Sequence, residues 1–267
     1  MKDLREKVIL ITGATGGFGS EMCRQFLAEG AWIIATDVKE SDLTALQSGL
    51  DMGSGRWLGS FAVNLADPEQ CAQVYARASE VHSHVDILVN NAGIAPGGPF
   101  TEVPEDAFEK TMQINLLAPM RLTRQFLPGM IERRRGHIVN ISSAAGLTGS
   151  AMLASYCASK FGLRGFGESI ALEAADHDVK VTNVYPFFSR TNILNSERFG
   201  DLANRELPDW MITDPVDIVR AIVRGIKKDA PAVYPDTASR MIDMSERIAP
   251  AGLLWYKQLM RKLGAGP

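Results

Sequence analysis

Apolar positions in this 267-residue chain follow two rhythms that alternate along its length. Short, nearly continuous apolar runs read as strands: VILIT from Val8, WIIATD from Trp32, a run near Phe61, DILVNN from Asp86, HIVNIS from His137, KVTNVYP from Lys180 and AVYP from Ala232. The segments between them carry helical spacing. They predict helices over Phe18–Glu29, Leu43–Leu50, Pro68–Ser83, Pro104–Arg134 with a break near Pro119, Ser155–Asp176, Pro215–Lys228 and much of Asp236–Leu263. Strands without polar alternation are covered on both faces, so the pattern predicts an α/β fold, a doubly wound parallel sheet with helices on both sides. No repeat or low-complexity linker divides the chain, and residues 1–267 are expected to form one domain. Pro186–Asp214 follows neither rhythm and exceeds ordinary loop length, which predicts a lid or substrate loop.

Composition narrows the partners. With 46% hydrophobic residues, 22% charged residues and a net charge of −3, the chain has material for a core and no polybasic face, so nucleic acid is not an expected partner. The three cysteines and four histidines show no ligand spacing, so no metal is expected. The opening MKDLREKVILITG has too short an apolar run for a leader peptide and reads as a first strand. No stretch of about 20 apolar residues is present, which predicts no transmembrane segment, and a cytoplasmic location is expected. Near the end, Trp255, Tyr256, Leu259, Met260 and Leu263 share one helical face opposite Lys257, Gln258, Arg261 and Lys262. Such a face docks on the body of the protein, with peripheral membrane contact as the less favoured outcome.

The glycines of TGATGGFG, Gly13, Gly17 and Gly19, follow an apolar strand and precede an amphipathic helix. Absent β-carbons permit a tight turn and close approach to a pyrophosphate, while the helix N-terminus offers amide donors and positive partial charge. Thr15 and Phe18 belong to the same turn, and Asp37 ends the second strand at the distance where a carboxylate meets an adenosine ribose. A 2′-phosphate there would bring like charges together, so NAD is the expected cofactor and NADP the alternative. Gly16 stands where a basic residue would favour NADP, whereas Lys39 lies near enough to neutralise a phosphate.

Tyr156 and Lys160 are four residues apart on one predicted helix face, thirteen and seventeen residues after Ser143. A cation at roughly 4 Å and an effective dielectric near 20 contributes about 4 kcal/mol, roughly three pKa units, and is expected to bring the phenol of Tyr156 toward working pH. Ser143 is favoured over Ser142 for orienting a substrate oxygen, with Ser142 expected on the other face of the sheet. Asn115 is a polar residue inside a predicted helix, where such residues mark local backbone disturbance. Cys157 is expected to pack as a small apolar side chain.

These motifs together resemble the short-chain dehydrogenase/reductase family, from Thr12 to about Thr191. TGATGGFG is similar to its TGxxxGxG, Asn90-Asn91-Ala92-Gly93 to its NNAG, Asn115 to its helix asparagine, and Ser143, Tyr156 and Lys160 to its catalytic set. The resemblance implies a seven-stranded Rossmann sheet, a homodimer or homotetramer, and NAD(P)-dependent interconversion of alcohol and carbonyl. It implies Tyr156 as general acid/base, Ser143 orienting the substrate, Lys160 also holding the nicotinamide ribose, and Asn115 binding a relay water. Cofactor contacts are implied from Asn64, where the family usually has Asp, and from Leu65, Asn91, Ala92 and Gly93. Its PGxVxT segment is Pro186-Phe187-Phe188-Ser189-Arg190-Thr191 here, so Pro186, Ser189 and Thr191 remain as nicotinamide contacts while a glycine is replaced by Phe187.

Ile193, Leu194, Phe199, Leu202, Leu207, Trp210, Met211 and Ile212, with Met152 and Leu153, suit a lipophilic alcohol or ketone better than a sugar. A nucleotide-sugar epimerase or dehydratase needs a larger C-terminal region, and an enoyl reductase spaces its tyrosine and lysine more widely. A non-catalytic dinucleotide sensor has no requirement for Ser143, Tyr156 and Lys160.

Overall fold

The apolar runs become seven parallel strands in one sheet in a computed structural model, which describes residues 3–191, 193, 196–200, 212–249 and 252. The strands are β1 (Val8–Thr12), β2 (Trp32–Asp37), β3 (Arg56–Ala62), β4 (Ile87–Asn90), β5 (Gly136–Ile141), β6 (Val179–Val184) and β7 (Ala232–Val233). Their order is β3-β2-β1-β4-β5-β6-β7. The chain builds outward from β1 to β3, then crosses back to β4, so the strand order reverses between β1 and β4. Above that reversal the flanking loops diverge, leaving a crevice at the carboxyl ends of the strands.

Successive residues of each strand face opposite layers. Ile9 and Ile11 join Met22, Phe26 and Leu27 of α1 (Gly17–Ala28) and Ile218, Ile222 and Ile226 of α8 (Pro215–Lys227) in one core. Val8 and Leu10 join Val74 and Ala78 of α4 (Val74–Val81) and Leu122, Phe126 and Met130 of α6 (Ala118–Glu132) in the other. Each such side chain contributes about 1.5–3 kcal/mol on burial, which is why the sheet needs both layers. Among the described residues no helix is long and apolar enough to cross a membrane.

Helix boundaries depart from expectation where the ends are polar. The second helix, α2 (Glu40–Ser48), starts before Leu43 because Glu40 and Asp42 favour its positive N-terminus. The segment predicted as one helix over Pro68–Ser83 is split at Gln73 into α3 (Pro68–Ala72), capped by Asp67, and α4. The break expected near Pro119 falls before it: α5 (Glu105–Met112) runs into a π turn, Gln113–Leu117, where the N–H of Ala118 donates to the carbonyl of Gln113, five residues back. Pro119 has no N–H for the carbonyl of Asn115, so a regular helix cannot continue through this point. Helix α7 (Ala154–Ala174) ends in a 3-10 turn, and α9 (Thr237–Ile248) covers the first part of its predicted span. The apolar tail positions from Trp255 to Leu263 lie outside the described residues.

His137 on β5 is fully buried. Thr182 Oγ donates to the carbonyl of Ala230 (2.6 Å), so it accepts from His137 Nε2 (2.8 Å). That fixes the neutral Nε2–H tautomer and leaves Nδ1 without a hydrogen bond, 3.9 Å from the Asp229 carboxylate. Burial pushes the imidazole down from 6.5 to about 4. Unfolded His137 binds a proton below its ordinary pKa and folded His137 does not until much lower pH, so stability is expected to fall on acidification through that window, by up to about 3 kcal/mol. Urea unfolding at pH 7 and pH 4.5 checks this: His137→Gln, which keeps a donor for Thr182, should lose less stability than the wild type, and equal losses would clear His137 of the effect.

Candidate active site

The glycine turn occupies the crevice above β1. Gly13 has φ +63°, and a β-carbon on it would lie 2.8 Å from the Ala92 Cα. A β-carbon on Gly19 would collide with the Gly13 carbonyl oxygen, so α1 can start this close to β1 only without a side chain there. Gly16, at the N-cap of α1, supplies no side-chain acceptor, and the first turn holds no acidic residue. The leading amides and their positive partial charge therefore face the crevice uncompensated by side chains. Asp37 is tied to this turn: its Oδ2 accepts from Thr15 N (2.9 Å) and Thr15 Oγ (2.7 Å), and its Oδ1 from Val38 N (2.7 Å).

The opposite wall is the end of β4. Thr12 Oγ accepts from the amides of Asn91 (3.0 Å) and Ala92 (3.1 Å), and Asn91 Nδ2 donates to the carbonyls of Thr12 and Gly13 (both 2.9 Å). Gly93 follows, with Asn115 Oδ1 and Lys160 Nζ at 3.3 and 3.6 Å from where its β-carbon would be. Leu65 is buried beyond β3, whereas Asn64 is exposed and accepts the amide of Ala66 (3.1 Å).

Ser143 leaves the carboxyl end of β5 and caps a 3-10 turn, Ala144–Gly146, accepting from Ala145 N (3.1 Å). It lies close enough to the phenol of Tyr156, in the first turn of α7, to favour the ionised form. Tyr156 is 8% exposed and Lys160, one turn on, 2%. Burial pushes Tyr156 up to about 12, against the lowering by Ser143, and pushes Lys160 down to about 8. The expected lowering of the phenol by the ammonium is therefore corrected. Lys160 Nζ donates to the carbonyl of Ile141 (2.8 Å) and lies 5.7 Å from the Tyr156 ring centre.

Asn115 sits in the π turn, fully buried, and bonds both backbone groups of Ile94. Ser142 is not on the far face of the sheet, as the sequence had suggested: its Oγ donates to the carbonyl of Lys160 (3.1 Å), on the α7 side. Cys157 is buried, and its Sγ accepts the amide of Ser150 (3.3 Å).

On the substrate side, the carbonyl of Pro186 accepts from Ala144 N (2.8 Å) and Ser143 Oγ (3.5 Å). Thr191 lies over Gly17, with its Cγ2 2.7 Å from where a β-carbon would be, and Ser189 Oγ is buried without a partner. Three loops join above Tyr156. Gly98 N donates to the carbonyl of Met152 (2.8 Å), Gly97 N to Glu197 (3.0 Å), Phe199 N to Gly97 (2.8 Å), and Ala95 N to Ser196 Oγ (3.0 Å). Ile193, Phe199 and Ile212 are half-buried; Leu194, Leu202, Leu207, Trp210 and Met211 lie outside the described residues. Ile94, Met152, the Ile141 carbonyl and Ser159 were not singled out as partners from the sequence, because they act largely through backbone groups or through contacts distant in the chain.

A family model described as short chain dehydrogenase matches residues 7–200. The chain belongs to the short-chain dehydrogenase family. Epidermal retinol dehydrogenase 2 of Mus musculus is 34% identical over 238 residues, 87% of this chain and 75% of that protein. The 3-oxoacyl-(acyl-carrier-protein) reductase of Vibrio cholerae is 36% identical over 240 residues, 88% of this chain and 96% of that one. A solved short-chain dehydrogenase from Sphingobium yanoikuyae in complex with NADPH matches with TM-score 0.77 and 25% identity, covering 93% of this chain and 95% of its own. Membership places the chain among NAD(P)-dependent oxidoreductases.

The short-chain dehydrogenase turn described above fits such a cofactor: side-chain-free glycines, uncapped amides and a carboxylate at the end of β2 surround the space a pyrophosphate and ribose need. Among the described residues no group of three or more His, Cys, Asp or Glu could hold a metal. Gly19→Ala is expected to weaken dinucleotide binding by about tenfold or more, since α1 must move away from Gly13. Titration of NADH fluorescence checks this; affinity within about twofold of wild type would show that the close approach is dispensable.

Proposed function

We propose that this short-chain dehydrogenase interconverts a secondary alcohol and a ketone on a lipophilic small molecule, with NAD favoured. The observation that carries this is the placement of Ser143 beside the buried phenol of Tyr156, one helical turn from a buried lysine and beside the glycine crevice. NAD(P), when bound, supplies the acceptor or donor of hydride. Tyr156 takes the hydroxyl proton in oxidation and returns one to the carbonyl oxygen in reduction. Ser143 donates to the substrate oxygen and holds it at the phenol, a role that depends on the geometry being fixed beforehand. Lys160 provides positive charge beneath Tyr156 and holds the ribose, and Asn115 keeps the π turn and the Ile94 loop in place beside it.

Gly13, Thr15, Gly17, Phe18, Gly19, Asp37, Asn64, Leu65, Asn91, Ala92 and Gly93 form the dinucleotide side, completed by Pro186, Ser189 and Thr191. The nicotinamide contacts of this last segment rest on its position beside Ser143 and Gly17. The half-buried apolar residues Met152, Leu153, Phe187, Phe188 and Phe199 support a lipophilic substrate, as does likeness to an enzyme named for retinol. Exposed Met120 and Phe161, on α6 and α7, support pairing of those helices in a homodimer or homotetramer.

A screen of alcohols and ketones followed by absorbance of reduced nicotinamide should favour lipophilic ketones; preference for small polyols would remove the substrate assignment. Tyr156→Phe is expected to lower turnover by about 10²–10⁴ with dinucleotide affinity unchanged, and near-normal turnover would take Tyr156 out of the mechanism. Asp37→Ser should move the ratio of kcat/KM toward NADP by about tenfold or more, by removing charge repulsion with the 2′-phosphate. A wild-type enzyme with higher kcat/KM for NADP than for NAD overturns the preference.

A further inference from the structure

Between Tyr156 and Lys160, α7 carries a third buried polar residue that the chemistry above leaves unused. Ser159 is fully buried, and its Oγ donates to the carbonyl of Tyr156 at 2.7 Å. With its single hydrogen engaged, that oxygen serves as acceptor for Asn115 Nδ2 at 3.1 Å. The other hydrogen of Asn115 Nδ2 goes to the carbonyl of Ile94 (2.8 Å), and Asn115 Oδ1 accepts the amide of Ile94 (3.0 Å). Pairing with both backbone groups of Ile94 fixes which way the amide faces. Both its donor hydrogens are thus used, one on the β4 loop and one on α7.

We infer that Ser159 is a positioning residue, the point at which the π turn and the Ile94 loop are fastened to the helix that carries Tyr156 and Lys160. The inference rests on the function proposed above. Asn115 Oδ1 and Lys160 Nζ both border the same small space at Gly93, so a change in the amide is felt beside the lysine. Removing the Ser159 hydroxyl leaves one amide hydrogen of a fully buried Asn115 without an acceptor. A buried donor in that condition turns to find another partner or admits water, and the turn moves with it. A purely structural serine would lower stability and leave turnover alone.

Ser159→Ala, Ser159→Thr and Tyr156→Phe, each in the full chain, test this against the best substrate of the alcohol and ketone screen. For Ser159→Ala we expect kcat to fall about tenfold while substrate KM and NADH affinity stay within about twofold, since the loss lies in alignment at the reacting centre. Ser159→Thr, which keeps the hydroxyl, should recover kcat to within about threefold of wild type. Wild-type kcat in the alanine variant overturns the inference. If Ser159→Ala no longer binds NADH, the threonine variant decides: recovered turnover supports the role of the hydroxyl, and low turnover overturns it. Normal turnover in Tyr156→Phe removes the proposed mechanism itself, whereas an inactive Tyr156→Phe with a normal Ser159→Ala removes only Ser159.

Discussion

How closely α7 lies on the sheet is set by Gly167. A β-carbon there would fall on top of Asn183 Oδ1 and 2.8 Å from Asn140 Nδ2, so any other residue would lift the helix. Those two asparagines belong to a ladder with Asn90 across β4, β5 and β6, in register, in which each amide nitrogen donates to the next oxygen: Asn90 to Asn140 at 2.9 Å and Asn140 to Asn183 at 3.1 Å. The ladder locks the carboxyl ends of three strands, and the helix rests on the ladder. Ser143 arrives from β5 and Tyr156 from α7, so the distance between them inherits both constraints. A shift of about 1 Å in such a pair is enough to cost a reaction orders of magnitude.

Close seating also excludes water, which changes the electrostatics. Burial raises the phenol of Tyr156, against the lowering by Ser143, to about 12. Burial acts on the ammonium as well and pushes Lys160 down to about 8. The carbonyl of Ile141 at 2.8 Å is the contact that favours the charged lysine in the free protein. Spacing of four residues identifies which groups meet. It carries no information about how much hydration each one loses.

The same boundary separates what the sequence showed from what it hid. Strand runs such as HIVNIS and the apolar face of α8 were legible because each is a local pattern with a fixed period. So was the order of motifs at the strand ends, since a parallel sheet delivers every strand's carboxyl end to one edge. The π turn was visible only as a break: Pro119 removes a donor, but which residues absorb the mismatch depends on the fit of α5 and α6 to the body. Asp37 was readable as the carboxylate that ends β2, whereas its bonds to Thr15 and Val38 were not, because they depend on how the turn folds back on the strand end. Ser142 was assigned by strand alternation, which stops being a guide once the chain leaves β5.

Phe187, in the segment that corresponds to PGxVxT, is held in place without its side chain. Backbone groups hold this segment: the carbonyl of Pro186 meets Ala144 N, the carbonyl of Phe188 meets Thr213 N at 2.9 Å, and Phe187 N donates to Asp236 Oδ2 at 2.9 Å. None of these bonds involves the phenylalanine ring, which instead sits 4.7 Å from that of Phe188 at 67°. Asp236 is also the N-cap of α9, its Oδ1 accepting from Ser239 N at 2.7 Å. One carboxylate therefore sets the start of the last described helix and the position of the chain beside Ser143. The path of the backbone at position 187 is thus held from outside the segment, by bonds that make no demand on the side chain there.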